Sequence, residues 1–166
     1  TQAIDGPWYY QQIDLGFNYR MTDLQAALGL SQMQRLDQYV ARRHVLAQHY
    51  NNLLADVPVV TPWQHPDGYS GLHIYIIRLR LSTTGTNHRE VFERMVFGGI
   101  GVNLHYIPVY RQPYYERLGF NPMDFPQAES YYAEAITLPM YPSLTEDQQK
   151  QIVQRLLTPI GHQTIF

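Results

Sequence analysis

The chain has 166 residues, a formal charge of −2 and no basic run longer than Arg42-Arg43, so the electrostatic footprint of a nucleic-acid binder is missing. It contains no cysteine, which excludes a disulfide framework and a thiolate metal site and fits a reducing cytoplasm. The opening TQAIDGPWYY has neither a basic n-region nor an apolar h-region, and apolar runs such as IYII are too short to span a bilayer, so a soluble protein without a membrane role is expected.

Residues 1–20 read as an entry loop, broken by Gly6-Pro7 and Gly16. Thr22 with Gln25 forms a capping box, and Leu24, Leu28, Leu36, Val40, Ala47, Tyr50 and Leu54 then follow helical spacing to about Ala55. This predicts one long helix, or two bent near Gly29 to Asp37, with Pro58 and Pro62 ending the pattern. A short strand is possible at 57–61. GLHIYIIRLRL alternates from Ile74 onward and predicts a strand, with His73, Tyr75, Ile77, Leu79 and Leu81 on one face and Ile74, Ile76, Arg78 and Arg80 on the other.

Asn87 caps a helix over HREVFERMVF that stops at Gly98-Gly99. GVNLHYIPVY is read as a second strand, closed by Pro108. QPYYERLGF is a helical turn, Pro126 opens a helix over QAESYYAEAI, and Thr145 with Gln148 caps a last helix over EDQQKQIVQRLL. Helices separated by a few strands predict a small α+β fold: a long leading helix and a small, mostly antiparallel sheet covered by helices.

The chemistry-bearing residues form few constellations. Of the seven histidines, His44 and His49 lie about 140° apart around a helix and do not converge on one ion. No HExxH, GxSxG, Walker or dinucleotide-binding motif is present, which argues against a self-sufficient enzyme and against a metal site. Arg20 stands just before a helix N-terminus, an end that carries partial positive charge and favours anions. An anionic ligand such as a phosphate or carboxylate would satisfy both, as would a plain salt bridge. His105 and Tyr106, followed by Tyr110, sit where a strand end feeds a Pro-Val-Tyr turn. They are candidates for gripping a ligand, with a half-buried histidine bonded to backbone as the plainer reading. Lys150, the single lysine, falls in the first turns of a polar helix and reads as solvated.

IDLGFNYRMTDLQAALGLSQMQRLDQYVARR resembles the stretch that joins the large and small domains of the DegT-type sugar aminotransferases, pyridoxal-phosphate enzymes of fold type I. GVNLHYIPVY, QPYY with LGF, and FPQAESYYAEAITLPMYPSLTEDQ continue the resemblance in order over nearly the whole chain. Within the family the nearest likeness, from WYYQQIDLGFNYRMTDLQAALG and LPMYPSLTEDQ, is to the UDP-4-amino-4,6-dideoxy-N-acetyl-β-L-altrosamine transaminases of pseudaminic acid synthesis.

The resemblance implies that residues 1–20 lead in from a pyridoxal 5'-phosphate-binding large domain and that 21–166 form the small C-terminal domain. It implies transfer of an amino group from glutamate to C4 of a UDP-linked 4-keto-6-deoxy hexose, at active sites on a homodimer interface. The asparagine matching Asn18 reaches the cofactor phosphate of the partner subunit, and the arginine matching Arg20 approaches the acidic substrate or the nucleotide-sugar diphosphate. His105 and Tyr106 line the sugar pocket, with Tyr110 beside them. The family's Schiff-base lysine lies upstream of the matching segment and Lys150 matches no lysine motif, so these 166 residues alone are expected to be inactive. The alternative is a non-catalytic dimerisation or interaction module derived from the same fold.

Overall fold

Thr22 begins the first helix as the sequence requires. Its hydroxyl accepts from the Gln25 backbone N–H (3.3 Å) and its own N–H donates to Gln25 Oε1 (2.9 Å), which satisfies two of the N–H groups a helix start leaves unpaired. The computed structural model describes residues 14, 16–17, 19–83 and 85–158. By internal contacts it divides into two compact units, Thr1–Leu36 and Asp37–Phe166.

In the first unit, α1 spans Asp23–Met33 and buries none of its residues. Leu24 is 85% exposed and Leu28 63%, so the expectation that they extend the core stripe of the following helix is not met. Spacing tells which side chains share a helix face; it does not tell whether anything covers that face. Of the two alternatives for the leading helix, two helices form: α2, Leu36–Leu53, starts after the turn at Gln34 and Arg35.

In the second unit α2 turns Leu46, Tyr50 and the following Leu54 inward at intervals of four, the spacing that stacks side chains on one face. Among the described residues three strands, β1 (Val59–Val60), β2 (Tyr75–Leu79) and β3 (Ala135–Leu138), pair antiparallel in the order β1-β2-β3. The period of two sorts β2 as expected: Tyr75, Ile77 and Leu79 are buried, Ile76 and Arg78 half-buried. His73 lies outside the strand, and Leu81 opens a 3-10 turn, Leu81–Thr83.

The helices α3 (His88–Phe97), α4 (Pro113–Glu116), α5 (Pro126–Glu134) and α6 (Glu146–Leu157) follow. Asn87 Oδ1 caps α3 by accepting from the Glu90 N–H, and Thr145 with Gln148 forms the second capping box. One sheet face, with Ile77, Leu79, Ile136 and Leu138, forms a core with Leu46 and Tyr50 of α2, Val91 and Met95 of α3, and Ile152, Val153 and Leu156 of α6. The fold is therefore the expected α+β arrangement, a small antiparallel sheet with helices packed on it.

Two local expectations are corrected. GVNLHYIPVY is not a ladder strand; it contributes a single antiparallel bridge, Asn103 to Thr137, and ends in a 3-10 turn, Val109–Arg111. Asn103 Oδ1 accepts the Leu104 N–H (2.8 Å), so that donor is met locally, and Pro108 has none to offer. The helix opened by Pro126 stops at Glu134, and Ala135–Leu138 becomes β3, entirely buried. The β-branched Ile136 and Thr137 favour the pleated state, and Pro139 follows directly.

Among the described residues, Gln149, Tyr50 and Tyr75 find partners in the core, and Arg43 Nε is buried without one. Gln149, fully buried, donates through Nε2 to the Leu46 carbonyl (2.9 Å) and its Oε1 lies 2.9 Å from His49 Nδ1, tying α6 to α2. Tyr50 donates to the Pro139 carbonyl and Tyr75 to Asn51 Oδ1. Burial pushes both phenols well above their ordinary range, with the neighbouring Tyr75 and Tyr141 adding to the shift at Tyr50. Because the folded value is raised, the contribution to stability is complete below the unfolded value of about 10 and is lost as pH rises beyond it, by at most about 1.4 kcal/mol per pH unit for each tyrosine. Denaturant titrations between pH 8 and about pH 11 should therefore show stability falling above pH 10, with a smaller slope in Tyr75→Phe; an unchanged slope would remove Tyr75 from this account.

Candidate functional site

Opposed residues of an antiparallel pair point to one side, so Arg78 with Ala135 and Ile76 with Thr137 face away from the core. An arginine on this face needs an acid, and α5 supplies it. Arg78 donates to Glu134 Oε2 from Nε (3.0 Å) and Nη2 (2.7 Å), and Nη2 lies 3.4 Å from Ser130 Oγ. Ser130 and Glu134 are four apart and so share one side of α5.

Other sides of α5 anchor the segment that carries the candidate residues. Tyr131 donates from its hydroxyl to the His105 carbonyl (3.2 Å), while His105 Nδ1 lies 2.8 Å from Thr137 Oγ1 on β3. The His105 and Tyr106 rings meet edge to face with centroids 4.5 Å apart, and Tyr106 is 71% exposed. His105 Nε2 has no hydrogen-bond partner among the described residues and is not buried. The structure thus brings together a histidine fixed at its carbonyl and at Nδ1, with Nε2 open beside an exposed tyrosine.

Tyr110 is held differently. Its hydroxyl donates to Glu129 Oε1 (2.8 Å) and its ring stacks on Phe125 at 4.4 Å. Arg111 donates from Nε to Glu129 Oε1 (2.8 Å) and from Nη2 to Glu129 Oε2, with its guanidinium over the Tyr132 ring. Glu129 and Tyr132 are three apart on α5, which explains why one arginine reaches both. The Arg111 guanidinium, and after it the Tyr110 hydroxyl, hold the Glu129 carboxyl below the usual carboxylate range. Desolvation first, then the Glu129 hydrogen bond, push the Tyr110 phenol up. With its hydroxyl engaged, Tyr110 offers a ligand mainly its ring.

Arg20 is exposed, belongs to the first compact unit, and has no ion pair or hydrogen bond among the described residues. Asn18 lies outside the described residues. Lys150 donates to Asp147 Oδ1 (3.1 Å), three residues earlier on α6, with its side chain 51% exposed. Half exposed and tied to Asp147, the single lysine does not fit a Schiff-base centre for a pyridoxal group. A cleft of about 460 Å³, lined by Gly99, Gly101, Tyr141, Leu144 and Gln148 among others, contains none of His105, Tyr106 or Tyr110 and no charged side chain.

Thr137, Tyr131 and Glu129 were not singled out from sequence as holding these residues. The signal for Thr137 was the β-branched pair Ile136-Thr137 before Pro139. For Tyr131 and Glu129 no local pattern exists, because their partners lie 26 and 18–19 residues away.

The family model of the DegT/DnrJ/EryC1/StrS aminotransferases matches residues 3–157. The spore coat polysaccharide biosynthesis protein SpsC of Bacillus subtilis (strain 168) is 35% identical over 155 residues, covering 92% of this chain and 40% of SpsC. Among solved structures, Spr1654 of Streptococcus pneumoniae, described as a sugar aminotransferase, superposes in its PLP form with a TM-score of 0.83 at 25% identity, covering 92% of this chain and 39% of that one. Helicobacter pylori PseC, an aminotransferase involved in the biosynthesis of pseudoaminic acid, gives a TM-score of 0.81 at 25% identity over 95% of this chain and 42% of its own. The chain therefore spans about 40% of the length of SpsC. With the family model covering residues 3–157, the chain belongs to the DegT/DnrJ/EryC1/StrS aminotransferase family.

Proposed function

We propose that this chain is the C-terminal portion of a pyridoxal-phosphate-dependent sugar aminotransferase, with residues 21–166 as its small domain and 1–20 as the lead-in from a cofactor-binding large domain. The observation that carries the reading is His105, held by Thr137 and Tyr131 with Nε2 open next to exposed Tyr106. His105 and Tyr106 line the sugar pocket; Tyr110 supplies a ring wall; Arg20, unpaired among the described residues, meets the acidic substrate or the diphosphate. Asn18 would hold the cofactor phosphate of the partner subunit across a homodimer interface. When bound, the pyridoxal group serves as electron sink and amino carrier; the residues of this chain bind and orient, and the chain alone does not transaminate.

The substrates are glutamate and a UDP-linked 4-keto-6-deoxy hexose aminated at C4, in pseudaminic acid or related surface-glycan synthesis. The likeness to PseC and to SpsC supports this choice. A second reading, an interaction module without catalysis, is favoured by the exposed apolar residues Leu24, Leu28, Leu30 and Met33 of α1.

Amination assays on the enzyme that contains this chain, with glutamate and the keto-sugar nucleotide, separate the two; no turnover and no cofactor absorbance would leave the interaction module. In the same enzyme Asn18→Ala should weaken cofactor affinity roughly ten- to hundredfold, the effect of losing a hydrogen bond to a charged group of about 1.5–3 kcal/mol. Titration of cofactor absorbance reads this directly, and an unchanged affinity would sink the phosphate role.

A further inference from the structure

We propose that Thr137 is a positioning residue that sets the protonated nitrogen of His105, so that His105 presents an N–H donor to an acceptor oxygen of the sugar nucleotide. The inference rests on His105 being a substrate-binding residue, as proposed above, and adds which chemical role it plays and what enforces it.

Thr137 is held rigidly. It sits in β3 opposite Ile76, and its backbone N–H and carbonyl both pair with Asn103 (2.7 and 3.2 Å). That bridge brings the 103–105 stretch alongside β3, so the ring of His105, two residues after Asn103, reaches the Thr137 hydroxyl. Thr137 is only 6% exposed. A buried hydroxyl must place its proton on an acceptor, and among the described residues its one hydrogen-bond partner is His105 Nδ1, at 2.8 Å.

The hydroxyl therefore donates and Nδ1 accepts. In a neutral imidazole only one nitrogen carries the proton, so it resides on Nε2. Tyr131, donating to the His105 carbonyl, fixes the backbone from which the ring projects, and the edge-to-face contact with Tyr106 limits its rotation. The outward Nε2–H then matches a carbonyl, hydroxyl or phosphoryl oxygen and does not match a group that must itself donate. The nitrogen not used for the ligand is fixed by a partner within the protein, which is how imidazole tautomers are selected elsewhere.

The test is imidazole ¹⁵N–¹H long-range correlation on the ¹⁵N-labelled chain at a pH where His105 is neutral. The wild-type chain should show the Nε2–H tautomer; an Nδ1–H tautomer would overturn the proposal without any variant. Thr137→Val keeps the branched shape that suits a strand and removes the hydroxyl, and it should populate Nδ1–H, while Thr137→Ser should restore the wild-type pattern. A Thr137→Val spectrum identical to wild type would also overturn it.

In the enzyme containing this chain, Thr137→Val should raise KM for the sugar nucleotide about three- to tenfold with kcat kept, the signature of lost binding, and Thr137→Ser should recover it. If His105→Ala raises KM and Thr137→Val does not, the inference about Thr137 fails. If His105→Ala itself leaves KM unchanged while the tautomer still follows Thr137, the substrate role of His105 fails and the positioning stands.

Discussion

Replacing Ile77 with alanine is expected to lower the unfolding free energy of the chain by about 3 kcal/mol, read as a shift in the denaturant midpoint at constant slope. Ile77 is the middle residue of the central strand, fully buried, opposite Ile136, with Tyr75 and Leu79 on the same face. Side chains from α2, α3 and α6 meet on that face, so the surroundings cannot collapse into the space without moving three helices. The cavity term then adds to the lost transfer energy. Leu24→Ala is the control: it deletes an apolar group of the same size, but at an exposed site of α1, and should change stability by about 0.5 kcal/mol or less. If the two variants cost the same, Leu24 is covered in solution and α1 is not the exposed helix it is in this structure.

That contrast also marks how far the sequence could be read. Capping at Thr22, Asn87 and Thr145 was legible because a cap is a local bond between residues three apart, and β2 was legible because its alternation is local as well. The family followed from motifs spread along the chain, while the element order, read from periodicity and caps, failed at GVNLHYIPVY and at β3. The cover over Leu24 was not legible, since periodicity defines a face and not its partner. Nor was β3: four buried residues directly after α5 look like one more helical turn until Thr137 is seen pairing with Ile76 and Asn103. His105 and Tyr106 were singled out as candidates by their place before a Pro-Val-Tyr turn. That Tyr110 gives its hydroxyl to Glu129, and that Thr137 and Tyr131 hold His105, depend on contacts between distant residues.

On the function proposed above, replacing His105 with alanine in the enzyme that contains this chain is expected to lower kcat/KM for the keto-sugar nucleotide roughly ten- to hundredfold, mainly through KM. The residue projects an open Nε2 from a ring anchored at Nδ1 and at its own carbonyl, so it arrives at the ligand already ordered, with little rotamer entropy left to lose. A hydrogen bond from such a donor to a charged oxygen is worth about 1.5–3 kcal/mol, which converts to the stated range. Nothing in the geometry aims Nε2 at a reacting carbon, and an interaction made equally in ground and transition states appears in KM and not in kcat. Tyr110→Phe should change the same constant by no more than about threefold, because the lost hydroxyl serves Glu129, which keeps both of its bonds from Arg111. Steady-state kinetics with the sugar nucleotide varied at saturating glutamate separates the cases. A fall in kcat alone for His105→Ala would move the residue from binding to the chemical step, and a Tyr110→Phe loss as large as that of His105→Ala would show that the phenol leaves Glu129 to meet the substrate.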